Sequence, residues 1–181
     1  MTGWRNALYG SGVLVGLLAL VVVPAVFSAV LPREGPPLQG RVDIGYGASV
    51  VAPTGARLDL VDSRPGGGEI VLLVGDGLRV RLSAQFFQGD PLPVITHARH
   101  KIVRDEWLRP SGPPEPLVTE SGLSGEWGSL LGEYAGEDSA CYAVLTGGGV
   151  AVTALVTPAP NCAELPVPVR DALLSIQVEE P

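Results

Sequence analysis

EIVLLVGDGLRVRLSAQFF, residues 69–87, decides the fold class. Two β-prone runs meet at Asp76-Gly77, a pair that reverses a chain readily because glycine accepts a positive φ at no steric cost. In the second run Leu78, Val80 and Leu82 alternate with Arg79, Arg81 and Ser83, which predicts a strand with one buried and one wet face. A hairpin of this kind needs further strands to be stable. Upstream, GASVVA and ARLDLVD supply short β-prone runs divided by turn residues. Downstream, GLSGEWGSLLGEYA, CYAVLT and VAVTALV read as a meander, with Gly147-Gly148-Gly149 as a tight turn.

Two helices interrupt the strands. Asp90 is a good N-cap and Pro91 suits a first helical turn, while Leu92, Ile95, Ala98 and Ile102 recur at helical spacing until near Trp107. LPVPVRDALLSIQV closes the chain as a short helix, or as a helix passing into a last strand. Between them RPSGPPEP, residues 109–116, reads as a surface loop whose prolines exclude regular structure. Strands with two segregated helices predict an α+β domain built on one mostly antiparallel sheet.

The amino-terminal part has a different character. GVLVGLLALVVVPAVFSAVL, residues 12–31, carries no charge, and as a helix it would be about 30 Å long, the thickness of a bilayer's hydrocarbon core. A cleaved signal peptide is the rival reading, but its apolar run is shorter, and the least unfavourable exit here, Val26-Phe27-Ser28, is poor. The chain therefore divides into a cytoplasmic stub at 1–11, a transmembrane helix at 12–32, a Pro- and Gly-rich stalk at 33–45 and an extracytoplasmic domain at 46–181. Arg5 orients the stub inward, and Trp4 and Tyr9 fit an interfacial aromatic belt. Gly12 and Gly16, and likewise Ala25 and Ala29, have the small-xxx-small spacing that lets membrane helices pack closely. That spacing raises the prospect of a membrane-protein complex.

Cys141 and Cys162 are the only cysteines, and in an exported domain an even pair predicts one disulfide. The hairpin between them would bring its outer ends together. The order of elements, with "GLSGEWGSLLGEY" leading into "CYAVLTGGGVAVTALV" and a terminal "LPVPVRDALLSIQVEE", resembles the small exported PsbP-like domains of GC-rich Gram-positive bacteria over residues 46–180. The resemblance implies an antiparallel sheet with helices packed on it, on a protein that binds or stabilises a larger assembly. It carries no catalytic residue over.

The residues themselves offer little chemistry. His97 and His100, the only histidines, stand i, i+3 on the first helix, but the sequence clusters no third ligand with them, so no metal site is expected. Ser124 lacks a GxSxG setting, and neither glycine triplet, 66–68 or 147–149, is followed by the Lys-Ser/Thr of a phosphate loop. Both triplets read as turns, and no cofactor and no enzymatic activity are expected. The distinctive charge feature is HARHKIVR, where His97, Lys101 and Arg104 share a helix face as a possible partner or anionic-lipid patch in a chain of net charge −7. That overall acidity argues against nucleic acid. Trp107 and Trp127 read as part-buried core. The sequence thus predicts a non-catalytic, membrane-anchored envelope protein that binds or stabilises a membrane or cell-wall assembly. The alternative is a module that binds a lipid or another apolar small molecule between sheet and helix.

Overall fold

The computed structural model describes residues 32–132, 139–159 and 161–179. From Glu34 the chain forms β1 (Glu34–Pro37), β2 (Arg41–Gly45), β3 (Ala48–Val51), β4 (Arg57–Asp59), β5 (Glu69–Val74) and β6 (Leu78–Phe86). Helix α1 (Pro91–Asp105) follows, then β7 (Leu108–Pro110), β8 (Glu115–Val118), β9 (Ser124–Gly132), β10 (Ala140–Gly147) and β11 (Val150–Thr157). Helix α2 (Val167–Leu174) and β12 (Gln177–Val178) complete the domain. Nine strands make one antiparallel sheet in the order β1-β4-β5-β6-β11-β10-β9-β7, with β8 also paired to β9, and β12-β3-β2 make a second, small sheet. The fold class is α+β, mostly antiparallel with two helices, as the strand and helix patterns predict.

The hairpin at residues 69–87 has the anticipated form. β5 turns through a 3-10 segment at Gly75–Gly77 and pairs with β6 from Glu69↔Ser83 to Val74↔Leu78. Val80 and Leu82 are fully buried, and Arg79 and Arg81 face the other way. The meander is also present, and Gly148 and Gly149, both at positive φ, form the two-residue turn between β10 and β11. α1 begins as expected, with the Asp90 carboxylate accepting a hydrogen bond from the Leu92 N–H at 2.9 Å.

β10 and β11 are buried on both faces, and this arranges the other layers. Cys141, Ala143 and Leu145 join one apolar cluster with Ile44, Val50, Val169, Leu173 and Ile176, beneath the small sheet and α2. Ala140, Tyr142 and Val144 point the opposite way into a second cluster with Ala98 of α1, Leu108 and Leu130. Alternate residues of a strand face opposite sides, so a continuous apolar run needs cover on both. α1 supplies that cover over β9, β10 and β11.

Two sequence expectations are corrected here. Residues 34–45 are not a stalk: β1 pairs with β4, β2 pairs with β3, and Ile44 is fully buried. The compact unit begins at Glu34. Proline is compatible with this because β1 lies at the sheet edge, where a missing N–H interrupts no ladder. The same reason applies to 109–116, whose Pro110 and Pro116 sit opposite Leu130 and Glu126 in β7 and β8, along the border of β9. The glycine triplet at 66–68 is a turn, as read, and it also docks on β2. Gly68 N–H donates to the Ile44 carbonyl at 2.8 Å, and a Cβ on Gly45, at φ +121°, would lie 2.5 Å from that nitrogen.

Cys141 and Cys162 form the expected disulfide, with a Cα–Cα distance of 5.1 Å. It ties the start of β10 to the 3-10 turn at Cys162–Glu164, beyond the end of β11. Closing a loop with 21 residues of sequence separation should stabilise the fold by about 3 kcal/mol through the unfolded chain. Replacing both cysteines with alanine should lower the denaturation free energy by that order, measured by chemical unfolding beside intact-mass analysis under non-reducing conditions.

Candidate functional site

α1 leaves the β5–β6 part of the large sheet open on its own side, and a groove of about 220 Å³ runs between the helix and that shelf. β6 presents Arg81, Ser83 and Gln85 to it, the wet positions of its alternating pattern, and β11 adds Thr153 and Leu155. Glu69 of β5 stands across from Ser83. From α1 come His97, Lys101 and Asp105, one helical turn apart, with Glu106 just beyond the helix end. The Arg81 guanidinium is paired with Glu106, and the hydroxyls of Ser83 and Thr153 are hydrogen-bonded across the floor. The groove therefore holds guanidinium, ammonium, imidazole, carboxylate and hydroxyl groups side by side.

A half-buried polar network fixes α1 over the sheet beside this groove. One Arg99 guanidinium nitrogen donates to both Glu126 carboxylate oxygens, at 3.1 and 3.3 Å, and the Tyr142 hydroxyl donates to Glu126 Oε1 at 3.1 Å. Arg99 belongs to the helix, Glu126 to β9 and Tyr142 to β10, so three elements share one carboxylate. Burial, followed by the negative charge of Glu126, pushes the Tyr142 phenol from 10.0 up to about 12.

The sequence-predicted residues fall into three groups. His97 and Lys101 line the groove, and neither forms an ion pair among the described residues. Arg104 does not join them: its Nε pairs with the neighbouring Asp105 at 2.8 Å on an exposed face. At about 100° per residue, Lys101 and Asp105 advance ~40° and ~80° from His97 along the groove side, while Arg104 falls ~20° to the other side of His97. The cysteines serve the disulfide. Gly12, Gly16, Ala25 and Ala29, with the whole expected span up to residue 31, lie outside the described residues. Among the described residues no helix is long and apolar enough to cross a membrane.

Trp127 is half-buried against the larger core, but Trp107 is 61% exposed, so the expectation of part-buried core is corrected for it. Trp107 holds φ +53° directly after α1, a left-handed position where glycine is usual, and that backbone turns the indole outward while Leu108 enters the core. Among the described residues no group of three or more His, Cys, Asp or Glu side chains is placed to hold a metal ion. The sequence reading missed Glu69, Arg81, Ser83, Gln85 and Thr153 as site residues. The β6 alternation was the available signal, because it marked Arg81 and Ser83 as outward-facing.

No family model matches this chain, and no curated protein does. A solved structure from Bacteroides thetaiotaomicron VPI-5482, at 1.50 Å resolution, is similar at 13% identity and a TM-score of 0.48. The match covers 78% of this chain and 49% of that one, so the present chain spans about half its length.

The Tyr142 hydroxyl has a direct consequence for stability. Above pH 10 the unfolded chain loses the phenol proton, and the folded protein keeps it until about 12. The unfolded state then binds fewer protons, so stability falls with rising pH across that window. Phenolate absorbance should show one tyrosine titrating last, and Tyr142→Phe should remove that step while costing about 1 kcal/mol for the lost hydrogen bond.

Proposed function

We propose that this chain is a non-catalytic, membrane-anchored extracytoplasmic protein that uses the α1 groove to dock onto a larger membrane or cell-wall assembly. The groove carries this reading. At about 220 Å³ it falls below the ~300–1,000 Å³ usual for a pocket that encloses a small molecule. Its charged walls suit a polar, mixed-charge surface better than an acyl chain. Lys101 and His97 stand free of ion pairs among the described residues and can meet a partner's carboxylates without first breaking a contact.

Apolar-ligand binding needs an apolar cavity between α1 and the sheet, and the side chains of Ala98, Leu108, Leu130, Tyr142 and Val144 occupy that space. The disulfide supports an extracytoplasmic setting. The uncharged run at 12–31 supports a retained anchor with the amino terminus inside. A PsbP-like identity for the domain belongs to the same proposal, and it rests on the order of the elements.

The test is site-specific photocrosslinking of the full-length chain in its native membrane, with a carboxy-terminal tag. A crosslinker at Lys101 should give one dominant adduct, a crosslinker at the exposed Val118 of β8 should not, and R81E with K101E should lower recovery of the partner roughly tenfold, equivalent to ~1.4 kcal/mol. Recovery of the protein alone, with no adduct at Lys101, would overturn the proposal.

A further inference from the structure

The connection between β4 and β5 begins as a turn that is pinned from beneath and presents two aliphatic side chains outward. The buried Asp59 carboxylate accepts hydrogen bonds from the backbone N–H groups of Val61 and Asp62, at 3.0 and 3.2 Å. Arg79 donates to Asp59 at 3.3 Å and to Asp62 at 2.7 Å, and the Ser63 hydroxyl accepts from the Val71 N–H at 2.8 Å. Leu60 and Val61 nevertheless remain 48% and 57% exposed. A turn held this firmly has no freedom to fold its apolar side chains back into the core.

Its place in the chain says what covers it. Glu34, the first residue of β1, stands opposite Asp59, and Leu60 Cδ2 lies 3.4 Å from the position of a Cβ on Gly35. The turn therefore flanks the point where the chain enters the domain. With residues 34–45 folded into strands, only Pro32 and Arg33 separate the apolar run ending at Leu31 from β1. Three Cα steps of ~3.8 Å limit that tether to about 11 Å, little more than the ~5–8 Å depth of the polar headgroup layer on one side of a bilayer.

We infer that Leu60 and Val61 rest in the headgroup layer of the membrane that anchors the chain, so the domain is held against the bilayer at this turn. The inference rests on the anchor reading of residues 12–32. The local charges fit the occupant. Arg79 is shared by the two aspartates of the turn and Arg57 pairs with Glu34 at 3.7 Å, so each of these three carboxylates has a guanidinium partner. Arg64, exposed beside Val61 and Asp62, and Arg33, which precedes β1 in the chain, add attraction to anionic headgroups.

The test places a nitroxide on the full-length chain at Val61→Cys, with Val118→Cys as control, in vesicles of phosphatidylethanolamine and phosphatidylglycerol. The native cysteines are paired, so only the introduced thiol reacts. Collision with a water-soluble nickel chelate should be lost at 61 and kept at 118, while an alkaline wash leaves the chain in the vesicles. A retained chain with equal collision at both sites would overturn the docking and leave the anchor reading intact. A chain released by the wash would overturn both. Shielding at 61 that fades as protein is diluted into more lipid would assign the turn to a second copy of the chain, and would overturn the lipid assignment.

Discussion

The burial of β10 and β11 on both faces is the constraint from which the remaining arrangement follows. Every residue of Ala140–Thr146 is buried, and so are most of Val150–Val156. Such strands are stable only when each side is covered, because the apolar area left in water on an uncovered side would forfeit ~25 cal/mol per Å². The small sheet with α2 covers one side and α1 the other. The disulfide then fixes the start of β10 to the segment leading from β11 toward α2.

Dimensions explain why a groove exists at all. Strands spaced ~4.8 Å apart make a sheet of this breadth several times wider than a helix of ~10 Å diameter. α1, with 15 residues, is about 22 Å long and covers only the region of β9 to β11. The shelf beyond it faces water, and β6 meets water with Arg79, Arg81, Ser83 and Gln85 on that side. The proposed docking site is thus the boundary between the covered and uncovered parts of one sheet. Arg99, Glu126 and Tyr142 hold that boundary in place from beneath the helix.

Much of the fold was legible because its signals are local. The Asp76-Gly77 turn, the β6 alternation, the Asp90 cap with Pro91 and the turn at Gly148-Gly149 each depend on a few neighbouring residues. Residues 34–45 and 109–116 were misread because proline excludes a central strand but not an edge strand, and edge position is a property of the whole sheet. The site was legible only in part. His97 and Lys101 share a helix face, so spacing brought them together. Glu69, Arg81 and Thr153 reach them through the β5-β6-β11 order, and no local pattern states that the β5–β6 and β10–β11 hairpins, separated in the chain by α1 and three strands, lie side by side.

The central claim is that two-sided cover of β10 and β11 organises the molecule, and amide hydrogen exchange on the full-length protein tests it most directly. The amides of 140–147 and 150–157 should be the slowest to exchange and should open only with global unfolding. The edge strands β1 and β7 should exchange much sooner. If β10 and β11 exchanged as fast as those edges, neither α1 nor the small sheet would be covering them in solution, and both the fold and the groove built on it would have to be abandoned.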